Sequence, residues 1–150
     1  METRVRIIPP LYFFLSLVAM AALHYWYPVA VLLETGWRYA AVVLLLAGIL
    51  KTTLAARLFH KMETPIRPFE RPQLLVTQGL FAYSRNPMYL GMVMFLIGFA
   101  LILGTASPWL VIPLFVWVVQ TQFIRVEEAG LEAQYGDEYR RYRRRVRRWL

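Results

Sequence analysis

The stretch QGLFAYSRNPMYLG, residues 78–91, read together with RVEEAGL, residues 125–131, decides how this chain folds. Between the two lie apolar runs from Met88 to Leu103 and from Trp109 to Phe123, joined by the short break Gly104, Thr105, Ala106, Ser107, Pro108. That pattern predicts a helical hairpin. At about 1.5 Å of rise per residue, the arm from Asn86 to Gly104 is roughly 27 Å long and the arm from Pro108 to Glu127 roughly 29 Å. Matched antiparallel arms bring Arg85 and Asn86 level with Arg125, Glu127 and Glu128. The hairpin thus collects its charges at one end.

Those charges have a chemical logic of their own. Asn86 is a favourable N-cap, and Pro87 suits the first helical position, where a missing N–H costs nothing. The free N–H groups and positive dipole end of that helix, with Arg85 beside them, make a place for a carboxylate or phosphate. Glu127 and Glu128 fall at or just beyond the C-terminal end of an apolar helix, where the dipole disfavours negative charge. Two compensations stand open: an ion pair with Arg125 or the arginines further on, or a bound cation. A ligand carrying both a carboxylate and positive groups satisfies both feet of the hairpin.

Composition sets the class. Hydrophobic residues make up 59% of the 150 and charged ones 17%, against about 45–50% and about 25% in soluble domains. This is a membrane composition, and the length suits one domain, 1–150. The chain has no cysteine, which excludes a disulfide framework, a thiol nucleophile and a Cys-based metal site. His60, without a second ligand at metal spacing, reads as a surface histidine, and no metal site is expected. The net charge of +8 comes largely from the tail, where Arg140, Arg141, Arg143, Arg144, Arg145, Arg147 and Arg148 stand together. Beside several apolar spans, such a cluster suits anionic lipid headgroups rather than nucleic acid.

The expected spans are 8–28, 37–59, 87–104 and 108–125. The first is too long for a secretory signal and lacks a small-residue cleavage site, so it reads as a retained helix. His24, Tyr25, Trp26 and Tyr27 mark its interfacial end. In the second, Lys51 and Arg57 snorkel toward the cytoplasmic side, while Thr52 and Thr53 bond to carbonyls of their own helix. The loop 60–86, punctuated by Pro65, Pro68 and Pro72, is too interrupted to span, although Leu74, Leu75, Val76 and Thr77 form a short apolar patch. After Glu128 the chain stays helical for about two turns and breaks at Gly136. It then restarts as an amphipathic helix with Tyr139, Tyr142, Val146 and Trp149 along one side. The N-terminus, the loop 60–86 and the tail 126–150 are basic, whereas the turns near Glu34 and at 104–107 are not. By the positive-inside rule both termini and the site are cytoplasmic. The expected fold is all-α: an integral membrane bundle of about four transmembrane helices with a cytoplasmic C-terminal amphipathic helix.

The run GLFAYSRNPMYLG, followed after two apolar spans by RVEEAGLEAQYGDEYRRYRRRV, resembles the superfamily of isoprenylcysteine carboxyl methyltransferases and phospholipid methyltransferases. The resemblance covers the chain from about Thr53 to its end. Its motif is a Gly, then Arg-His-Pro-x-Tyr-x-Gly, then a helical hairpin and a Glu-Glu pair. Gly79, Arg85, Pro87, Tyr89, Gly91, Glu127 and Glu128 fit, while Asn86 stands where the family has His. The resemblance implies S-adenosylmethionine as cofactor, held by Val76, Gly79, Tyr83, Arg85, Asn86, Pro87, Tyr89, Leu90, Glu127 and Tyr139. Tyr135, Tyr139 or Tyr142 can fold over the pocket, where aromatic faces attract a sulfonium. Arg125 and Glu128 are then the catalytic pair facing a lipophilic acceptor. A carboxylate acceptor needs no base and suits the fork of Arg125, whereas an amine or thiol must lose a proton, for which Glu128 is the nearest candidate. Two other readings compete: a reductase-like protein with a nicotinamide cofactor, unsupported by any GxGxxG fingerprint, and a non-catalytic binder of anionic lipid. A homodimer could complete the bundle.

Overall fold

The structure, a computed structural model, describes residues 8–32, 35–61 and 75–150. The expectations for the N-terminal arginines, for the turn at Glu34 and for Pro65, Pro68, Pro72 and Leu74 lie outside these residues. Within them the chain forms α1 (Pro9–Trp26), α2 (Arg38–Lys61), α3 (Pro87–Leu103), α4 (Ser107–Tyr135) and α5 (Asp137–Arg145). Short 3-10 turns, Thr35–Trp37 and Gly79–Ala82, lead into α2 and toward α3. Among the described residues there is no strand. The nearest approach to one is a bridge between Val31 and Thr105, where the segment after α1 pairs with the α3–α4 turn through Leu32 N–H to Gly104 O (2.8 Å) and Ala106 N–H to Ala30 O (2.9 Å).

Three helices, α1, α2 and α4, are long and apolar enough to cross a membrane. The 17 residues of α3 make about 26 Å of helix. The all-α membrane bundle expected from composition is the fold observed. The outward faces of these helices are apolar: Val18, Val43 and Leu114 are 66%, 64% and 58% exposed, as suits helices long and apolar enough to cross a membrane. The core lies between α1, α3 and α4, where Met20, Leu96, Ala100, Phe115, Val119 and Ile124 are buried. At its far end His24 Nδ1 and Thr105 Oγ1 are 2.9 Å apart, so His24 ties α1 to the hairpin turn instead of simply facing an interface.

The hairpin forms where it was expected. Gly104 ends α3 in the left-handed conformation (φ 73°), and its N–H returns to Ala100 O at 3.0 Å. The close contact of the bundle is made elsewhere, between α2 and α3. A Cβ at Gly91 would meet Thr52 Oγ1, with Gly48 O at 2.8 Å. One at Gly98 would meet Ala41 O at 2.8 Å. Small residues let these backbones approach, the usual basis of helix packing in lipid. Thr52 uses that proximity: its hydroxyl donates to Met88 O of α3 at 3.3 Å, not to its own helix, whereas Thr53 does bond within α2, to Ile49 O at 2.7 Å.

Candidate active site

Helix α4 carries one π-helical turn, Gln120–Ile124. One extra residue in a helix of about 100° per residue re-aims everything beyond it. The half past that turn presents Glu127 and Glu128 to the start of α3. It continues to Tyr135, and Gly136 (φ 49°) reverses the chain into α5. The glutamates are therefore in mid-helix, and the expected dipole penalty at a helix end does not apply. Their compensation comes from side chains.

Glu128 is held by two guanidinium groups. Arg85 Nη2 lies 3.1 Å from its Oε1, while Arg148 Nε donates to Oε1 at 3.1 Å and Arg148 Nη2 to Oε2 at 2.6 Å. The Arg85 and Glu128 side chains are only 9% and 11% exposed, a burial that charges tolerate when paired in this way. Glu127 is held separately: the Tyr89 hydroxyl donates to its Oε1 at 2.7 Å. Of the two compensations open from sequence, a tail arginine serves Glu128. Arg125 is exposed, outside this cluster.

Asn86 is buried, but the expected side-chain cap is not made. Its amide donates to Arg148 O at 3.0 Å, and the neighbouring Arg85 N–H donates to Arg147 O at 3.0 Å. Helix α3 starts instead with Pro87 at its first position, with Asn86 O accepting from Leu90 N–H and Ser84 Oγ accepting from Asn86 N–H. The segment making these contacts is the end of the chain. The stripe expected to run to Trp149 in a final helix stops being helical at Arg145. Val146 is extended (φ −119°, ψ 128°), and residues 146–149 form a strap that returns across the foot of α3. Trp149 Nε1 donates to Gln120 Oε1 at the π-turn, 3.1 Å away.

Three buried polar atoms at this foot have no hydrogen-bond partner among the described residues: Arg85 Nε, Arg85 Nη1 and the Tyr139 hydroxyl. Tyr139 is 1% exposed. Burial, reinforced by the Glu128 charge and opposed by Arg85, pushes its phenol up to about 12, so it is a neutral donor at physiological pH. Tyr142 is raised too, chiefly by burial, and its hydroxyl donates to Phe81 O at 2.7 Å, fixing α5 on the turn before the site. Buried donors without acceptors cost free energy unless something meets them. Here Arg85 and Tyr139 keep these donors in reserve beside the carboxylates of Glu127 and Glu128.

The remaining expected residues fall around this centre. Gly79 opens the 3-10 turn, Val76 packs with Phe81 and Ala55, and Leu90 is buried behind Tyr89. Tyr83 is 81% exposed and points away from the cluster's interior. Arg148, Ser84 and Gln120 were not singled out by sequence reasoning. Arg148 is hidden inside a run of arginines, and only the apolar Trp149 and Leu150 after it hint that the end of the tail is anchored. A mostly apolar groove of about 260 Å³ lies between α1, α2 and α3, lined by Phe13, Phe14, Ile49, Thr52, Gly91 and Phe95. It begins one turn along α3 from Pro87.

A family model described as phospholipid methyltransferase matches residues 37–138, more than half of the chain and all of the paired-glutamate hairpin. The chain belongs to the phospholipid methyltransferase family. A protein-S-isoprenylcysteine O-methyltransferase of Schizosaccharomyces pombe is 38% identical over 76 residues, 51% of this chain and 32% of its own length. An uncharacterized protein of Haemophilus influenzae is 44% identical over 63 residues, 42% of this chain and its own entire length. No solved structure gives a significant match. The family match spans α2 to the start of α5. Tyr139 and the strap, with Arg148, lie beyond it.

Proposed function

We propose that this protein transfers a methyl group from S-adenosylmethionine to a lipophilic acceptor at the cytoplasmic face of a membrane. The observation that carries the reading is the set of unpartnered buried donors, Arg85 Nε and Nη1 and the Tyr139 hydroxyl, beside two carboxylates. Such a face fits the amino-acid end of the cofactor. Arg85 and Tyr139 would bind its carboxylate, and Glu127, oriented by Tyr89, would draw its ammonium group. When bound, the cofactor supplies a methyl group on a sulfonium, whose positive charge the aromatic faces of α5 suit.

A lipophilic acceptor suits the apolar groove, which would seat a hydrocarbon chain between α1 and α2 with its polar end toward the foot of α3. Arg125, one turn before Glu128 and exposed, would meet an acidic acceptor head there. Glu128 has both oxygens engaged by guanidinium groups and would have to release one before taking a proton from an acceptor. An acceptor that arrives as a nucleophile therefore suits the site better than one that must be deprotonated. The chain's own contribution is to align the acceptor with the methyl donor and exclude water. In this reading α3 is the fourth span, the chain is one domain, and the basic tail lies against anionic headgroups on the cytoplasmic side.

The test is calorimetric binding of S-adenosylmethionine and its demethylated product to the detergent-purified protein, beside the double variant Glu127→Gln with Glu128→Gln. The expected result is micromolar binding, weakened about tenfold or more in the variant. A folded wild-type protein that binds neither compound would rule the reading out and redirect attention to nicotinamide cofactors and anionic lipid.

A further inference from the structure

Glu128 is supplied with more positive charge than it carries negative. Arg148 alone holds it as a fork, with Nε on Oε1 at 3.1 Å and Nη2 on Oε2 at 2.6 Å, and Arg85 Nη2 adds a further contact to Oε1 at 3.1 Å. Two guanidinium groups on one carboxylate leave a positive surplus. The surplus is felt mainly at Arg85, whose side chain is 9% exposed against 34% for Arg148, because solvent screens the more open group. Arg85 is also the partner with hydrogens to spare: its Nε and Nη1 are buried and meet no acceptor among the described residues. Its backbone is held by the same strap that carries Arg148, through Arg85 N–H to Arg147 O at 3.0 Å, and the Asn86 amide beside it donates to Arg148 O. Residues 147 and 148 therefore fix both the place of Arg85 and the carboxylate on which it rests.

Resting on the cofactor reading above, we propose that Arg148 is a positioning residue for the cofactor's carboxylate: by holding Glu128 as a fork, it leaves Arg85 with the charge and the donors to bind that carboxylate. Arg148 touches no ligand and acts through Glu128. Guanidinium and carboxylate groups favour bidentate pairing, so a Glu128 without Arg148 would draw Arg85 into a fork of its own, cancelling its charge and using its donors. The foot of the hairpin would then offer only Glu127, with the Tyr89 hydroxyl on its Oε1, which suits an ammonium group by itself. With Arg148 in place the charges are sorted, a positive surplus at Arg85 and a negative charge at Glu127, which complements the two ends of an amino acid.

Two probes that differ only by the carboxylate, S-adenosylmethionine and decarboxylated S-adenosylmethionine, are titrated calorimetrically into the full-length protein in detergent, and the readout is the ratio of their affinities. Wild type is expected to favour the carboxylate-bearing probe about tenfold or more. Arg148→Ala is expected to bring the ratio to about one, and Arg148→Lys, which keeps a cation on Glu128 but not the fork, to restore part of it. Arg148→Ala combined with Glu128→Gln is expected to recover the wild-type ratio, because a neutral residue 128 no longer captures Arg85. An Arg148 that only stabilises the fold would lower both affinities together and leave the ratio unchanged, which would overturn the proposal, as would a ratio near one in the double variant. Should Arg148→Ala fail to fold, Arg148→Lys and the double variant carry the same comparison, since neither leaves a charged Glu128 without a cation from the strap. If wild type binds both probes equally, this role for Arg148 falls while cofactor binding stands. If wild type binds neither, both fall together.

Discussion

The Tyr89 hydroxyl donates to Glu127 Oε1 at 2.7 Å, joining the first turn of α3 to the middle of α4 across the mouth of the hairpin. A bond to a charged acceptor in so buried a place contributes about 1.5–3 kcal/mol. Tyr89→Phe is expected to lower thermal stability by that order and to weaken cofactor binding. Glu127→Gln should cost stability less, since its amide oxygen still accepts. Parallel thermal unfolding and calorimetry on both variants check the order.

Arg85 reaches Glu128 while keeping two donors in reserve. Arg85→Ala strands part of a buried carboxylate and is expected to destabilise by about 3 kcal/mol. Arg85→Lys should recover part of that stability but not cofactor binding, because an ammonium cannot serve Glu128 and a second carboxylate as a planar fork does. Unfolding midpoints together with titration of S-adenosylmethionine separate the two effects.

Two glycines make opposite predictions. A methyl at Gly91 meets Thr52 Oγ1, and Gly48 O and Thr52 N lie at 2.8 and 2.9 Å. Gly91→Ala should therefore push α2 off α3 and destabilise by about 1–3 kcal/mol. At Gly130, exposed in mid-helix, a Cβ has nothing within 4 Å, so Gly130→Ala should stabilise by about 0.5–1 kcal/mol. Melting temperatures in one detergent decide both.

Tyr139 sets an alkaline limit. Its folded phenol is raised to about 12 from the usual 10.0, so above pH 10 the unfolded chain gives up a proton that the folded chain retains. The stabilising contribution is complete below that pH and is lost progressively as pH rises toward 12. Melting temperature should fall across that window in wild type and fall less in Tyr139→Phe. Phenolate absorbance, compared between wild type and Tyr139→Phe in the same titration, isolates the contribution of Tyr139.

The parts of this fold that were readable from sequence depend on neighbours in the chain. Pro87 at a helix start, the Gly104 break and the apolar runs beside them require only local chemistry, and the hairpin followed from them. The pairing of the feet was readable too, because equal arms put Arg85 level with Glu128. What was not readable depends on distant segments meeting. Asn86 has the chemistry of a cap, but its side-chain N–H is turned to the carbonyl of Arg148 and its side-chain oxygen makes no cap. Arg148 looks like any other member of a basic run until Gly136 and Val146 turn it back onto Glu128. Thr52 has the spacing for a bond within its own helix, but the closeness of Gly91 brings Met88 O within its reach.

The π-turn at Gln120–Ile124 divides α4 into two parts with separate obligations. On one side of it, side chains answer to lipid and to the core against α1. On the other they answer to Arg85 and Tyr89. The extra residue imposes a fixed angular offset, so the half before it can face α1 and the core while the half after it faces the start of α3.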